Sequence, residues 1–225
     1  MLNLAKRMAT CLPQSWQHSL HKSWYAWRIR RGSFIHQEPE YQRLTDWLRP
    51  GDIALDIGAN IGIYTARLSR LVGERGHVYA FEPVPITFSF LTSNVDRFPI
   101  RNVTLLNVGA SDASRLARMA MPLTDTGLPA TALAQISDDA GTIDVHCLPI
   151  DALSLPGPVR LVKIDVEGHE FPVLKGMAAL LERDQPRLIV EGQDAEIRAW
   201  LEQRGYQARV LSNSPNTIFE TAQTA

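Results

Sequence analysis

Short apolar runs alternate with longer stretches of helical periodicity through most of the chain. The apolar runs predict buried strands over residues 53–57, 77–81, 103–108, 159–164 and 188–190. The periodic stretches, in which apolar residues recur every three or four positions, predict helices over residues 61–72, 86–97, 170–181 and 195–204. Because strands that alternate with helices form parallel sheets covered on both faces, the pattern predicts an α/β domain.

The C-terminal end of the pattern differs from the rest. Two β-type runs, residues 206–211 and 217–219, are separated only by the turn sequence Asn213-Ser214-Pro215-Asn216. A connection this short joins antiparallel strands, whereas parallel strands need a longer crossover. We therefore expect a mostly parallel sheet of seven strands that ends in an antiparallel hairpin at one edge.

The alternation breaks between residues 111 and 149. Residues 115–121 and 142–148 predict two strands around a loop rich in Gly, Pro and Ala. We interpret residues 113–149 as an insertion near the site, which is a common place for a substrate lid. The predicted organisation is thus a main domain over residues 50–225 that carries this insertion, preceded by an N-terminal segment over residues 1–49.

The N-terminal segment is basic and rich in tryptophan, with no acidic residue before position 38. Its basic residues are Lys6, Arg7, Lys22, Arg28, Arg30 and Arg31, and its large aromatic residues are Trp16, Trp24, Tyr25 and Trp27. One interpretation, the favoured one, is a helical cap whose tryptophans pack on the domain. The alternative is that residues 1–37 contact an anionic membrane surface, a glycolipid or a phosphorylated substrate.

Overall composition restricts the remaining function classes. The net charge is −1, from 23 basic and 24 acidic residues, so the balance predicts no nucleic-acid partner. The two cysteines, Cys11 and Cys147, match no metal-site or disulfide spacing, and no apolar stretch of about 20 residues is present. We expect a cytoplasmic protein, with peripheral membrane contact through residues 1–37 as the open alternative; the oligomeric state is not predicted.

A glycine-containing loop follows the first predicted strand, with the sequence Asp56-Ile57-Gly58-Ala59-Asn60-Ile61-Gly62. Glycines at such a turn let the backbone approach a ligand closely, beside the free N–H groups of a helix N-terminus. A dinucleotide fingerprint would have glycine at positions 60 and 63, where this chain has Asn60 and Ile63. The loop therefore favours a ligand without a pyrophosphate, with Asp56, Gly58, Asn60 and Gly62 as candidate contacts.

Acidic residues follow the next two predicted strands. Glu82, in Phe81-Glu82-Pro83, lies about 20 residues beyond the glycine loop, where a carboxylate can accept hydrogen bonds from ribose hydroxyls. Asp112 follows the third strand, where it can either reach an adenine amino group or cap a turn. Glu82 is therefore the stronger cofactor candidate, and the two roles of Asp112 stay open.

A dense polar run, Lys163-Ile164-Asp165-Val166-Glu167-Gly168-His169-Glu170, ends the fourth main strand. Ligands of α/β sheets bind outside the carboxyl ends of the strands, which is where this run must lie. His169 is the first candidate for a general base because its ordinary pKa suits proton transfer near neutral pH, and Asp165 and Glu167 are alternatives. A divalent metal held by Asp165 and Glu191 is a less favoured hypothesis.

These motifs together resemble the FkbM family of methyltransferases. The resemblance rests on LDIGANIGIYT, FEPVP with Asn94 beyond it, VKIDVEGHE followed by VLKG, and the final NTIFE, and it covers roughly residues 50–220. It implies a class I methyltransferase fold of Rossmann-like type and S-adenosylmethionine as cofactor. It also implies methylation of a hydroxyl on a small molecule such as a natural product, sugar or glycolipid.

The candidate cofactor contacts are Asp56, Gly58, Asn60, Gly62, Glu82, Asp112 and Asp165. Three other functions remain as alternatives. RNA methylation is disfavoured by the near-neutral net charge, although the basic N-terminal segment keeps it open. An NAD-dependent oxidoreductase is disfavoured by the interrupted glycine pattern and the C-terminal hairpin. A non-catalytic binding module is disfavoured by the intact loop and by the acidic run, which a scaffold does not need.

Overall fold

A sheet of seven strands forms the centre of the protein, in a computed structural model that describes residues 14–121, 134–137 and 141–224. The strands are β1 (Ile53–Ile57), β2 (His77–Phe81), β3 (Val103–Leu106), β4 (Gly109–Ala110), β5 (Arg115–Ala120), β6 (Gln135–Ile136), β7 (Ile143–Leu148), β8 (Val159–Ile164), β9 (Arg187–Glu191), β10 (Gln207–Val210) and β11 (Asn216–Glu220). The helices are α1 (Gln14–Arg30), α2 (Pro39–Trp47), α3 (Ile63–Val72), α4 (Pro85–Val95), α5 (Glu170–Lys175), α6 (Ala178–Asp184) and α7 (Ala195–Glu202).

The strand order in the large sheet is β10-β11-β9-β8-β1-β2-β3. Strands β1, β2, β3, β8 and β9 run parallel, while β11 pairs antiparallel with both β9 and β10. The predicted mostly parallel α/β sheet and the C-terminal hairpin are therefore confirmed. The hairpin folds back so that its second strand, β11, lies between β9 and β10.

Apolar residues of β1 alternate between the two faces of the sheet. Leu55 and Ile57 belong to a buried cluster that includes Leu174 of α5 and residues of α6 and α7. Ala54 belongs to a second cluster on the other face, with residues of α2 and α3 such as Leu44. Because successive side chains of a strand point to opposite faces, this separation shows that helices cover both sides of the sheet.

Two predicted helices have different bounds in the structure. The helix predicted from residue 61 begins at Ile63, because Asn60 and Gly62 have positive φ values of 50° and 90° that a helix cannot include. The helix predicted over residues 170–181 is two helices that separate at Gly176. A Cβ on Gly176 would lie 1.9 Å from the backbone oxygen of Ser111, so glycine allows this close approach at the point where the two helices separate.

The insertion forms a small second sheet in the order β4-β7-β5-β6. Its two long strands, β5 and β7, pair antiparallel close to the bounds that the sequence predicts. Met119 and the free cysteine Cys147 are buried within its apolar cluster. Most of the predicted loop between the two strands, residues 122–133 and 138–140, lies outside the described residues.

The N-terminal segment packs as helix α1 against α4. Ile29 and Phe34 are buried in the same cluster as Leu91 of α4, and the ring of Tyr25 lies 5.9 Å from that of Phe90. Trp16, Trp24 and Trp27, in contrast, are at least half exposed, so the interpretation that the tryptophans pack on the domain is wrong. The predicted basic residues Lys6 and Arg7, and also Cys11, lie outside the described residues.

Candidate active site

A cleft of about 270 Å³ opens at the carboxyl edge of β1, β2, β8 and β9. It lies where parallel sheets bind ligands, because the loops that follow neighbouring strands meet at that edge. Its polar lining comes from His36, Glu38, Asn60, Glu82, Asp165, Glu167, His169 and Glu191, and its apolar lining includes Val108, Ala110, Met119 and Ile136. The predicted site residues of four separate loops therefore converge on one cavity.

The glycine loop is held between the ends of two neighbouring strands. The N–H groups of Gly58 and Ala59 donate to the carbonyl of Phe81 at 3.0 and 2.8 Å, and the N–H of Asp165 donates to Ile57 at 3.0 Å. A Cβ on Gly58 would lie 1.7 Å from the carbonyl oxygen of Asp165, and φ at Gly58 is +78°. Glycine is needed at position 58 for two reasons. The residue that follows β8 contacts its backbone, and the loop lines the cleft.

Glu82 presents a buried carboxylate to the cleft. Its side chain accepts the N–H of Asn60 at 3.0 Å and the N–H of Val84 at 2.9 Å. Burial raises the pKa of Glu82 to about 7, although these two hydrogen bonds act in the opposite direction. Each carboxylate oxygen can accept a further hydrogen bond, so the group is positioned to bind a pair of hydroxyls.

Other predicted cofactor contacts lie away from the cleft lining. Asp56 is fully buried beneath the loop and accepts the hydroxyl of Thr65 at 2.6 Å. A Cβ on Gly62 would lie 2.7 Å from Leu91, so this glycine allows the loop to pack on α4. Asp112 forms an ion pair with Lys175 at 3.7 Å. The cofactor roles of Asp56, Gly62 and Asp112 stay predictions, and Gly58, Asn60, Glu82 and Asp165 are the candidates that line the cavity.

Lys163 is a buried cation directly behind the cleft. Its ammonium lies 2.8 Å from Asp165 and 5.0 Å from the ring centre of Tyr64. Burial acts to lower the pKa of Lys163, but the carboxylates of Asp165 and Asp56 outweigh it and hold that pKa above its ordinary value. Burial likewise acts to raise the pKa of Asp165, and the Lys163 ammonium outweighs it. The pair is therefore charged at neutral pH.

The carboxyl groups of Glu167 and Glu191 lie close to that of Asp165. Oxygens of Asp165, Glu167 and Glu191 all lie within 4.8 Å of one another. Burial, and then the negative charge of Asp165, raise the pKa of Glu191 to about 8, with a hydrogen bond to Asp165 contributing. Burial and the charge of Asp165 also raise the pKa of Glu167. Near neutral pH Glu191 therefore keeps its proton and donates it in a hydrogen bond to Asp165.

A family model described as the methyltransferase FkbM domain matches residues 56–208, which include the glycine loop, Glu82 and the acidic cluster. The chain belongs to the FkbM methyltransferase family. The family assignment and the fold predicted from the resemblance are thereby confirmed.

Two curated relatives of this chain have names that state what they act on. One is the hexuronic acid methyltransferase AglP of Haloferax volcanii, 33% identical over 161 residues that cover 69% of this chain and 62% of AglP. The other is the 31-O-demethyl-FK506 methyltransferase FkbM of Streptomyces tacrolimicus, 28% identical over 196 residues that cover 71% of this chain and 74% of the relative. The matched part is thus less than two thirds of AglP.

A solved structure supports the fold of this FkbM-family chain. The crystal structure of methyltransferase FkbM from Methylobacillus flagellatus superimposes with a TM-score of 0.56 at 18% sequence identity. The match covers 81% of this chain and 50% of that chain. At this identity the likeness concerns the fold, which is the class I methyltransferase arrangement.

His169 lies at the edge of the cleft in this FkbM-family site, immediately before α5. Its Nε2 lies 2.9 Å from the hydroxyl of Ser111, which follows β4. Burial, and next the positive charge of Arg115, hold the pKa of His169 below its ordinary value. The imidazole is therefore neutral at pH 7 and can accept a proton, as a general base requires.

His36 and Glu38 are cleft residues that the sequence did not indicate. His36 Nδ1 lies 3.1 Å from a carboxylate oxygen of Glu38, whose other oxygen accepts the hydroxyl of Tyr64 at 2.5 Å. Both precede α2, which packs on α3 through the edge contact between Tyr41 and Tyr64. No spacing or motif links residues 36 and 38 to the glycine loop, so only packing shows that they reach the cavity.

Cofactor binding by this FkbM-family protein should depend on pH through Glu82. Ribose hydroxyls donate to a carboxylate, so binding favours the ionised form, and a protonated Glu82 must first lose its proton. Because burial raises the pKa of Glu82 to about 7, affinity for S-adenosylhomocysteine should fall as the pH drops below 7. The expected decrease is about tenfold per pH unit, which calorimetric titration between pH 5.5 and 8.5 would measure.

The matched control is Glu82→Gln, which keeps the shape of the side chain without the titration. Its affinity should be lower at pH 8 and nearly independent of pH. A flat profile for the unmodified protein, or an equal slope for Glu82→Gln, would remove Glu82 as the ribose contact.

Proposed function

We propose that this protein transfers a methyl group from S-adenosylmethionine to a hydroxyl of a small molecule such as a natural product, a sugar or a glycolipid. The observation that carries the proposal is the buried Glu82 carboxylate beside the loop of Gly58 and Asn60, inside a segment that matches the FkbM methyltransferase domain. The sulfonium of this cofactor supplies an activated methyl group, so the protein mainly has to align donor and acceptor.

The chemistry of the cleft lining suits this cofactor. Glu82 would hold the ribose hydroxyls, as carboxylates at this position do in related sheets. Val108, Ala110, Met119 and Ile136 form an apolar wall on the side of the cleft nearest the insertion, where an adenine ring would be shielded from water. Asp112 remains the candidate for the adenine amino group, although in the structure its carboxylate pairs with Lys175.

His169 is the proposed general base that takes the proton from the acceptor hydroxyl. The ring is neutral near pH 7, lines the cleft and is oriented by Ser111. Asp165 is less suited, because its charge is already paired with Lys163 and it shares a proton with Glu191. We assign Asp165 to positioning, and Glu167 stays the alternative base because its raised pKa favours proton uptake.

The proposed reaction needs no metal. Asp165, Glu167 and Glu191 have oxygens close enough to coordinate a divalent cation. The Lys163 ammonium, however, lies 2.8 Å from Asp165 and would repel a cation bound there. Full activity in excess chelator is the expected result.

The proposal includes a peripheral contact between the N-terminal segment and a membrane or glycolipid. Helix α1 connects through a short linker to His36 and Glu38, which line the cleft. A surface that α1 touches would therefore lie close to the cleft in which the acceptor is proposed to bind.

The test begins with calorimetric titration of the protein with S-adenosylmethionine, S-adenosylhomocysteine and NAD. Binding of the two sulfur compounds without NAD is expected, whereas binding of NAD alone would support an oxidoreductase. Transfer of radiolabelled methyl from S-adenosylmethionine is then measured on hexuronic acids, neutral sugars, glycolipids and hydroxylated macrolides. Cofactor binding without transfer to any of these would favour a binding module.

The His169→Gln variant tests the base on whichever acceptor of that panel is methylated. Turnover should fall about 100-fold or more, because a general base typically accelerates a reaction by about 10²-fold to 10⁴-fold. Affinity for S-adenosylhomocysteine should stay within about twofold. His146→Gln is the matched control, because His146 is an exposed histidine of β7. Unchanged turnover in His169→Gln would transfer the role to Glu167, which Glu167→Gln then tests.

A further inference from the structure

Helix α1 exposes a continuous apolar face to solvent. Trp16, Leu20, Trp24 and Trp27 are 64%, 54%, 50% and 50% exposed, and they follow one another at intervals of four, four and three residues. Residues at these intervals share one side of a helix, so the four side chains form a single band, here called the tryptophan stripe. Large apolar side chains grouped in this way on a surface mark an interaction site.

The rest of the fold holds the stripe in its outward orientation. Ala26 and Ile29, on the other side of α1, are buried against the domain. Tyr25 contacts both Phe34 and Phe90 through edge-on ring packing. Because the helix is docked on its own domain by one face, the tryptophans of the other face remain available to a second surface.

Cationic side chains lie alongside the stripe at its C-terminal end. The guanidinium of Arg28 lies 5.0 Å from the ring centre of Trp24, and that of Arg31 lies 5.0 Å from the ring centre of Trp27. Arg30 is exposed beside them, and no acidic residue occurs before position 38. The segment therefore presents indole rings together with positive charge that no acid of residues 1–37 offsets.

We propose that the tryptophan stripe binds the surface of a bilayer that contains anionic phospholipid. Tryptophan prefers the headgroup region because its ring is apolar and its N–H can still be hydrated, and interfacial helices combine such rings with arginine. The guanidinium groups of Arg30 and Arg31 would pair with lipid phosphates, while that of Arg28 donates to the carbonyl of Ser33. None of the described helices has the length and apolar character needed to cross a bilayer, so the contact is peripheral.

Charge favours lipid over a second copy of this chain as the occupant. A symmetric dimer through α1 would place the basic end of each helix against the partner's α1, which holds no acidic residue in either helix orientation to offset the charge. An anionic bilayer instead complements the charge across its whole surface. This inference rests on the proposed function, which includes a peripheral contact of the N-terminal segment. It adds which side chains make that contact and which charge the lipid carries.

The test is sedimentation of the full chain with sucrose-loaded vesicles of phosphatidylcholine and phosphatidylserine in a 7:3 ratio, beside vesicles of phosphatidylcholine alone. These mole fractions make the anionic vesicle about as charged as a cytoplasmic leaflet rich in phosphatidylserine. The protein should bind the anionic vesicles at least about tenfold more tightly, and less tightly as salt is raised. Tryptophan emission should shift to shorter wavelength on binding.

Two sets of variants separate the apolar from the charged contribution. Trp16→Ser with Trp24→Ser and Trp27→Ser should reduce binding at least about tenfold, and Arg30→Gln with Arg31→Gln should remove the preference for anionic lipid. The control for the first set is Leu116→Ser with Val210→Ser, two exposed apolar residues elsewhere on the domain. The control for the second is Arg101→Gln with Arg118→Gln, also exposed.

The lipid assignment would be overturned by absence of binding to the anionic vesicles, or by equal binding of the tryptophan variant. It would also be overturned if light scattering showed a dimer that the tryptophan substitutions dissociate, since a second copy would then occupy the stripe. Affinity for S-adenosylhomocysteine, measured on every variant, should stay unchanged. A loss of lipid binding with intact cofactor binding therefore concerns the stripe alone, whereas failure of the unmodified protein to bind cofactor concerns the proposed function.

Discussion

Replacing Gly58 by alanine should abolish most cofactor binding and also destabilise the domain. The new Cβ would lie 1.7 Å from the carbonyl oxygen of Asp165, and the backbone φ of +78° is unfavourable for a residue with a side chain. The contact joins the backbone at the ends of β1 and β8, and φ is a backbone angle, so a change of rotamer can relieve neither. We expect at least about a 100-fold loss of affinity for S-adenosylhomocysteine and a cost of about 2 kcal/mol or more in the free energy of unfolding.

Calorimetric titration and urea denaturation measure the two effects. Gly205→Ala is the matched control, because Gly205 has a φ of +85° and no atom lies within 4 Å of the position that its Cβ would occupy. The free energy of unfolding of that variant should fall by only about 1 kcal/mol, which is the cost of a left-handed backbone at a residue with a side chain. Its cofactor binding should be normal. Equal behaviour of the two variants would show that contact with Asp165 is not what requires glycine at position 58.

Replacing Lys163 by methionine should cause the second large effect. The ammonium is the counter-ion of the adjacent Asp165 and a favourable charge for the buried Asp56. Methionine nearly preserves the volume of the side chain but leaves the partly exposed Asp165 carboxylate and the buried Asp56 carboxyl without their cation. Breaking a fully buried pair typically costs about 3 to 5 kcal/mol. Because the Asp165 side chain is 37% exposed, solvent screens part of the charge, and we expect about 2 to 3 kcal/mol here.

The loss should depend on pH in a definite direction. Without Lys163 the pKa of Asp165 rises from its lowered value, and the pKa of Asp56, which burial already raises, rises further. Folding of the variant therefore takes up protons, and its free energy of unfolding should increase as the pH falls from 8 to 5. In the unmodified protein the pKa of Asp165 is held low by Lys163, and its contribution to stability is lost only as the pH falls through that lowered pKa.

Urea denaturation at several pH values checks this expectation. Lys175→Met removes an exposed lysine that pairs with Asp112 at 3.7 Å and should cost less than about 1 kcal/mol, as surface ion pairs do. Adding Asp165→Asn to Lys163→Met should recover part of the stability. A Lys163→Met variant as stable as Lys175→Met, or one that loses further stability on acidification to pH 5, would contradict the buried-pair argument.

The positions of the main site loops could be inferred from local pattern. The strand over residues 53–57 and the glycine loop after it can be predicted because four of the five residues that precede the glycine turn are apolar. The placement of Glu82 at the same sheet edge follows from the parallel order of β1 and β2. The same reasoning brings Asp165, Glu167 and His169 to that edge, and all of them line the cleft.

Local pattern was insufficient wherever the partner of a residue is distant in the chain. Asp56 lies in the glycine motif, yet its side chain points beneath the loop to Thr65, because alternation along β1 turns it away from the cleft. Positions 62 and 176 require glycine because a Cβ there would lie too close to Leu91 and to Ser111, respectively. The helix predicted over residues 170–181 breaks at Met177, whose φ of −126° lies outside the helical range, directly after Gly176.

The sequence by itself determined the α/β class, the seven strands with a terminal hairpin and the family to which the chain belongs, because hydrophobic periodicity and contiguous motifs are local properties. Only the tertiary structure decided that His36 and Glu38 enter the cleft, that Lys163 neutralises Asp165, and that the tryptophans of α1 face solvent. These facts depend on which faces meet after the sheet has formed. Helical spacing shows which side chains share a face, but the direction of that face is set by the neighbouring elements that compete to bury it.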